Sequence, residues 1–197
     1  AIGPILDGKD ILIIAPTGEG KTLAAILPIF EKLMNDADKI GIKLLYITPL
    51  KSLNRDLFDR LVKLASQLGI DVDLRHGDTP QSIRKQQVED PSDVLITTPE
   101  TLQAILIGKR FREHLKQVTY VIVDEIHELA NNKRGSQLMV ALERLIALKG
   151  GEFQRIGLSA TIGNPSKISE FLCGNRPCEI IDARAEKFYD IVVEHPK

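Results

Sequence analysis

The stretch from Ala15 to Thr22, A-P-T-G-E-G-K-T, constrains this chain more than any other. It follows directly on the aliphatic run Ile11-Leu12-Ile13-Ile14 and precedes a segment rich in leucine and alanine. An apolar run of that length, ended by proline and glycine, reads as buried strand, tight loop and helix. Gly18 and Gly20 let the backbone curl until successive N–H groups point at one anion, and a helix beginning near Lys21 adds its positive end. Lys21 can then reach the β- and γ-phosphates of a nucleotide as a point charge. The Thr22 hydroxyl, one residue on, is placed for Mg²⁺. The plainer alternative is a glycine turn with no ligand. Ala15, Thr17, Gly18, Glu19, Gly20, Lys21 and Thr22 are therefore the expected nucleotide-binding residues.

Composition narrows what such a loop serves. A chain of 197 residues is one ordinary domain with a full core. Its net charge of −1 excludes a polycation, so any contact with nucleic acid must come from local basic patches. No apolar run approaches bilayer length and nothing resembles a signal peptide, which predicts a soluble, cytoplasmic protein without a membrane partner. Cys173 and Cys178, in C-G-N-R-P-C, lack the spacing of a zinc or redox pair. They are expected to be structural thiols, with a local disulfide as the alternative.

Beyond the loop, apolar runs alternate with helical patterns. Helices are expected over 23–34, 51–68, from 81 onward, and over 100–107, 136–148 and 165–172. Strands are expected at 43–48, 72–75, 94–97, 120–123, 155–158 and 179–181, with another strand-like run at 189–193. Residues 131–135 read as a charged loop, in which Lys133-Arg134-Gly135 is either an interdomain contact or a simple turn. Short connections between alternating elements predict an α/β fold, a mostly parallel sheet with helices on both faces. In such a sheet ligands bind just beyond the strand ends, where several polar motifs fall.

Asp124 and Glu125 end the strand at 120–123. A carboxylate there suits a metal ligand that completes a phosphate loop, and the acid beside it suits a general base for an attacking water. The tetrad D-E-I-H at 124–127, with A-P-T-G-E-G-K-T before it and S-A-T at 159–161 after it, resembles the superfamily 2 helicases. T-P-L-K-S-L-N looks like motif Ia, T-T-P-E-T-L like motif Ib and L-S-A-T-I like motif III. The wording P-L-K-S-L-N-R-D, H-G-D-T-P, I-T-T-P-E-T-L and the K-R-G after D-E-I-H are similar to the Lhr (large helicase-related) proteins. Ski2-like and Hel308-like helicases are near relatives.

The resemblance implies a RecA-like P-loop NTPase domain over residues 1–182, with 183–197 starting a linker to a second RecA-like domain in cis. It implies ATP and Mg²⁺ as cofactors, Thr22 and Asp124 on the metal, and Lys21, Asp124 and Glu125 as the catalytic set. His127, Ser159 and Thr161 would couple the nucleotide to a nucleic-acid edge of Pro49, Lys51, Asn54, Gly77, Asp78, Thr98 and Pro99. DNA is the implied nucleic acid, with an RNA motor of Ski2-like type or a module without turnover as alternatives. The family's adenine-reading glutamine and motifs IV to VI, with their arginine finger, are missing from the sequence. It therefore reads as one domain of a longer chain, expected to turn over ATP barely or not at all by itself. Lys51, Arg55, Arg84, Lys85, Lys109, Arg110 and Arg112 are expected on solvated helix faces, with nucleic acid touching only those beside motifs Ia and Ib.

Overall fold

A computed structural model describes residues 1–36, 40–49, 51–160 and 163–183, with residues 51–54 described by their backbone alone. Strands β1 (Asp10–Ile14), β2 (Leu44–Ile47), β3 (Val72–Arg75), β4 (Val94–Thr97), β5 (Tyr120–Val123), β6 (Gln154–Ser159) and β7 (Cys178–Asp182) form one sheet in the order β3-β4-β2-β5-β6-β1-β7. Every pairing is parallel. All strand C-termini therefore open on one edge, and the motifs that follow them meet there.

The strands alternate between two cores. Leu12, Ile14, Leu45, Ile47, Val121 and Val123 face one side, with α5 (Pro99–Ile107), α6 (Lys133–Lys149) and α7 (Pro165–Cys173). Ile11, Ile13, Leu44, Tyr46, Ile122 and Ile156 face the other, with α1 (Ile2–Leu6), α2 (Lys21–Met34) and α3 (Lys51–Ser66). Burial on both faces is why these strands read as unbroken apolar runs. The short helix α4 (Gln81–Glu89) follows the edge strand β3, whose residues are only half-buried.

Two sequence expectations need correction. Residues 133–135 are not loop: α6 begins at Lys133, capped by the Asn132 side chain, which accepts from the Gly135 N–H at 3.1 Å. Asparagine at the N-cap satisfies a donor that the first turn leaves free, a signal that the run of charges obscured. The chain also forms two 3₁₀ helices without clear periodicity, over Phe111–Gln117 and Ile126–Glu128. Phe111, Leu115 and Ile126 within them are buried. Helix α2 starts at Lys21, as the phosphate-loop reading expects and two residues before the apolar run at 23–34, because Gly20 takes a left-handed conformation and turns the chain directly into it. The strand-like run at 189–193 lies outside the described residues.

Cys173 and Cys178 are free thiols in mutual hydrogen bonding. Donation from Cys173 draws the Cys178 thiol down to about 7, while that bond and burial push Cys173 up. Among the described residues, no helix is long and apolar enough to cross a membrane.

Gly135 has the least room of the described glycines. A Cβ there would stand 1.9 Å from the Leu129 carbonyl oxygen and 2.9 Å from the Phe171 ring. Gly135→Ala is expected to destabilise the domain by about 2–3 kcal/mol, since backbone cannot move aside as a side chain can. Urea unfolding of the two proteins measures this.

Candidate functional site

The phosphate loop hangs between β1 and α2. Its root is tied to the next strand, because the Ala15 N–H donates to the Ser159 carbonyl at 3.2 Å. Gly18 (φ 86°) and Gly20 (φ 79°) occupy the left-handed region, and nothing lies within 4 Å of a Cβ built on either. Glycine is needed there for conformation rather than for room. Helix α2 has no side-chain cap, so the N–H groups of its first turn remain for a ligand, next to the exposed Thr17, Gly18, Glu19 and Gly20. Lys21 is 8% exposed and folds back into the loop, its Nζ donating to the carbonyls of Ala15 (2.7 Å) and Pro16 (3.1 Å).

Asp124 continues the β2–β5 pairing, its N–H donating to the Ile47 carbonyl at 2.8 Å. Its Oδ1 accepts from the Glu125 N–H at 2.9 Å and its Oδ2 from the Tyr46 hydroxyl at 2.6 Å. The Thr22 hydroxyl bonds to the same phenol. Burial raises the Asp124 carboxyl above the usual range, against the pull of Tyr46, the Glu125 N–H, Lys21 and His127. Glu125 is raised too, first by burial and then by the Asp124 charge. Its backbone (φ 44°, ψ 43°) is left-handed without being glycine. That conformation costs about 1–2 kcal/mol and is the kind of strain that gathers at working sites. His127 Nδ1 is hydrogen-bonded to Ser159 Oγ at 3.1 Å and stands 3.4 Å from Glu125 Oε2. Thr161 lies outside the described residues.

The donor set fits Mg²⁺. Thr22 and Asp124 offer a hydroxyl and a carboxylate, hard oxygen ligands of the kind Mg²⁺ takes one or two of, filling its other positions with water and phosphate. Among the described residues there is no cluster of three His, Cys, Asp or Glu that would hold a metal by itself.

The nucleic-acid candidates lie on the other half of the same edge, beyond β2, β3 and β4. Gly77 and Asp78 are exposed, whereas Pro49, Thr98 and Pro99 are buried. Thr98 caps α5, accepting from the Thr101 N–H at 3.3 Å, and Pro99 fills the first helical position. Those three shape the edge from within. The side chains of Lys51 and Asn54 lie outside the described residues.

Two arginines hold this edge together. Arg134 reaches from α6 to the Glu100 carboxylate (2.5 and 3.3 Å) and the Pro49 carbonyl (2.6 Å), joining the loop after β2 to the first turn of α5. The K-R-G segment thus has a contact within the domain. Arg84, expected on a solvated face, instead donates to the carbonyls of Thr79 (2.9 Å), His76 (3.2 Å) and Gly77 (2.7 Å) and fixes the loop after β3. Arg75, Arg84, Lys85 and Arg110 line a groove of about 560 Å³ beside it, where the Arg75 guanidinium lies 4.2 Å over the Phe111 ring.

Sequence reasoning missed Tyr46, Arg134 as a clamp, and the Glu125 backbone. Only Tyr46 carried a signal: a tyrosine within an aliphatic strand needs a partner for its hydroxyl.

Comparison with known proteins follows the same lines. The model of the DEAD/DEAH box helicase family matches residues 1–168. The chain is 42% identical over 211 residues to the ATP-dependent helicase Lhr-Core of Methanothermobacter thermautotrophicus, covering 97% of this chain and 24% of that protein. It is 41% identical to the Lhr helicase/probable uracil glycosylase of Mycolicibacterium smegmatis, covering 98% of this chain and 14% of that one. The structure of Mycobacterium smegmatis helicase Lhr bound to ssDNA and AMP-PNP superposes with a TM-score of 0.85 at 42% identity, over 94% of this chain and 25% of that chain. The chain thus spans a quarter or less of the length of these relatives, and its architecture is RecA-like.

Two outcomes are expected from the site's electrostatics. Because the Glu125 carboxyl is raised above its ordinary 4.5 in the folded state, the native protein holds a proton that the unfolded chain releases. The stability this contributes is present below 4.5 and lost as pH rises through the folded value. Glu125→Gln should therefore be more stable than the wild type by about 1 kcal/mol at pH 7.5 in metal-free buffer, an advantage that vanishes near pH 4; urea unfolding at both pH values measures it. Arg134→Ala should cost about 1 kcal/mol and speed amide hydrogen exchange at Lys51, Thr98, Glu100 and Thr101, leaving the Ala15–Thr22 loop unchanged.

Proposed function

The chain belongs to the DEAD/DEAH box helicase family, and on that premise we propose that it is the ATP-binding first motor domain of an Lhr-like, 3′-to-5′ DNA helicase or translocase. Residues 1–182 form the RecA-like domain in this reading, and 183–197 lead toward a second one in cis. One observation carries the reading. The folded sheet gathers Lys21, Thr22, Asp124 and Glu125 at one edge, with charge and hydrogen bonding linking all four. A module without turnover has no need of that set.

Lys21 leaves the Ala15 and Pro16 carbonyls for the β- and γ-phosphate oxygens, exchanging two neutral acceptors for charged ones. The N–H groups around Gly18 and Gly20 and the start of α2 hold the same phosphates. Thr22 and Asp124 would hold Mg²⁺, whose charge would offset that developing on a transferred phosphoryl group. Glu125, its carboxyl raised by burial, accepts the proton of the attacking water. The strained backbone at Glu125 fixes the direction of that carboxylate before substrate arrives. His127 and Ser159 carry a change at Glu125 to β6. Across the edge, the exposed Gly77–Asp78 loop meets a phosphodiester strand without reading its bases. DNA is favoured over RNA because the relative at 42% identity holds ssDNA and AMP-PNP.

An arginine finger from a second domain contributes on the order of 10³ to 10⁵ in turnover. This chain alone should bind a fluorescent ATP analogue but hydrolyse ATP barely, and Lys21→Ala should abolish the binding. The chain extended through the next domain should hydrolyse ATP and respond to single-stranded DNA more than to RNA. Stimulation by RNA alone would reassign the substrate; nucleic-acid binding without turnover in the longer chain would overturn the motor reading.

A further inference from the structure

Tyr46 is fully buried in the middle of β2, among Ile13, Ile122 and Leu158, at a position where phenylalanine would fill the same volume. A hydroxyl there is unfavourable unless it is bonded, and its bonds go to the two side chains assigned to the metal. It donates to Asp124 Oδ2 at 2.6 Å and is bonded by the Thr22 hydroxyl. Resting on the proposed function above, we infer that Tyr46 is a positioning residue for the divalent cation, one phenol that orders both oxygen ligands before the metal arrives.

The direction of the bonds matters. With its proton directed to Tyr46, the Thr22 oxygen keeps its lone pairs for a cation. With Oδ2 taken by the phenol and Oδ1 by the Glu125 N–H, the Asp124 carboxylate has one fixed orientation. Tyr46 itself never touches metal or nucleotide; it acts only through Thr22 and Asp124. Bonded partners of metal ligands typically contribute about 10–100-fold to metal affinity by fixing ligand geometry. A further consequence follows from β2, whose C-terminal loop contains Pro49. The strand that orders the metal ligands is the one that leads into the nucleic-acid edge.

The test is Tyr46→Phe, read by titrating Mg²⁺ against binding of a fluorescent ATP analogue. The Mg²⁺ concentration at half-saturation should rise 10–100-fold, with analogue binding in EDTA unchanged. An unchanged half-saturation would overturn the proposal and leave Tyr46 a packing residue. Failure of the wild type to bind the analogue at any Mg²⁺ concentration would overturn the functional reading instead. A second measurement covers the case where the variant does not fold. The chain has three tyrosines, and with 3-fluorotyrosine incorporated, Tyr120→Phe and Tyr189→Phe assign the Tyr46 ¹⁹F resonance by elimination. That resonance should move when Mg²⁺ is added to the nucleotide complex, and a stationary signal would sink the idea.

Discussion

Parallel pairing of β2 with β5, Leu44 opposite Tyr120 through Ile47 opposite Val123, is the constraint on which the site depends. It brings the ends of these two strands side by side, continues into the Asp124 N–H to Ile47 carbonyl bond, and sets the Tyr46 hydroxyl against the Asp124 carboxylate. A shift of one residue would turn Tyr46 to the opposite face. In the proposed function the sheet divides at this pairing, with β5, β6 and β1 leading to the nucleotide-binding residues and β3, β4 and β2 to the candidate nucleic-acid edge.

The nucleotide half is built against its own stability. Two carboxylates sit close together and partly buried, each raised by desolvation, and the second of them stands on a strained residue. Lys21 partly relieves that charge while occupying the carbonyls of its own loop. Two apolar cores, one on each side of the sheet, supply what the site gives up. Such an arrangement is preorganised for an anion and a cation arriving together, because the unfavourable terms are those that a bound phosphate and metal would remove.

The other half of the edge is ordered by cations pointing inward. Arg84 donates to three carbonyl oxygens of the loop after β3, which His76 and Thr79 also tie together, and Arg134 divides its donors between the Glu100 carboxylate and the Pro49 carbonyl. A planar fork with several donors suits this work, since it fixes two or three acceptors at once. Gly77 and Asp78 stand exposed on this ordered edge, which in the proposed function would meet a phosphodiester strand independently of sequence.

Most of the architecture was legible in the chain. The strands at 94–97 and 120–123 were read with their true bounds, and those at 11–14, 43–48, 155–158 and 179–181 within a residue, chiefly because burial on both faces leaves continuous apolar runs. The half-buried edge strand at 72–75 showed instead as an alternation of apolar and charged residues. The phosphate loop was legible because its chemistry is local: glycines, lysine and threonine act within eight consecutive residues. Asp124 and Glu125 were legible from their place at a strand end. Helix α6 began earlier than its charges suggested, and the 3₁₀ helix at Phe111–Gln117 had too few apolar residues to show a period. The bonds from Tyr46 to Asp124 and from Arg134 to Pro49 join residues 78 and 85 positions apart. Periodicity reports only which face a residue takes, so the sequence alone determined the sheet, the loop and the order of motifs. Which side chains meet across strands, and the left-handed turn that aims Glu125, were decided by tertiary packing, which brings together groups that leave no trace of one another along the chain.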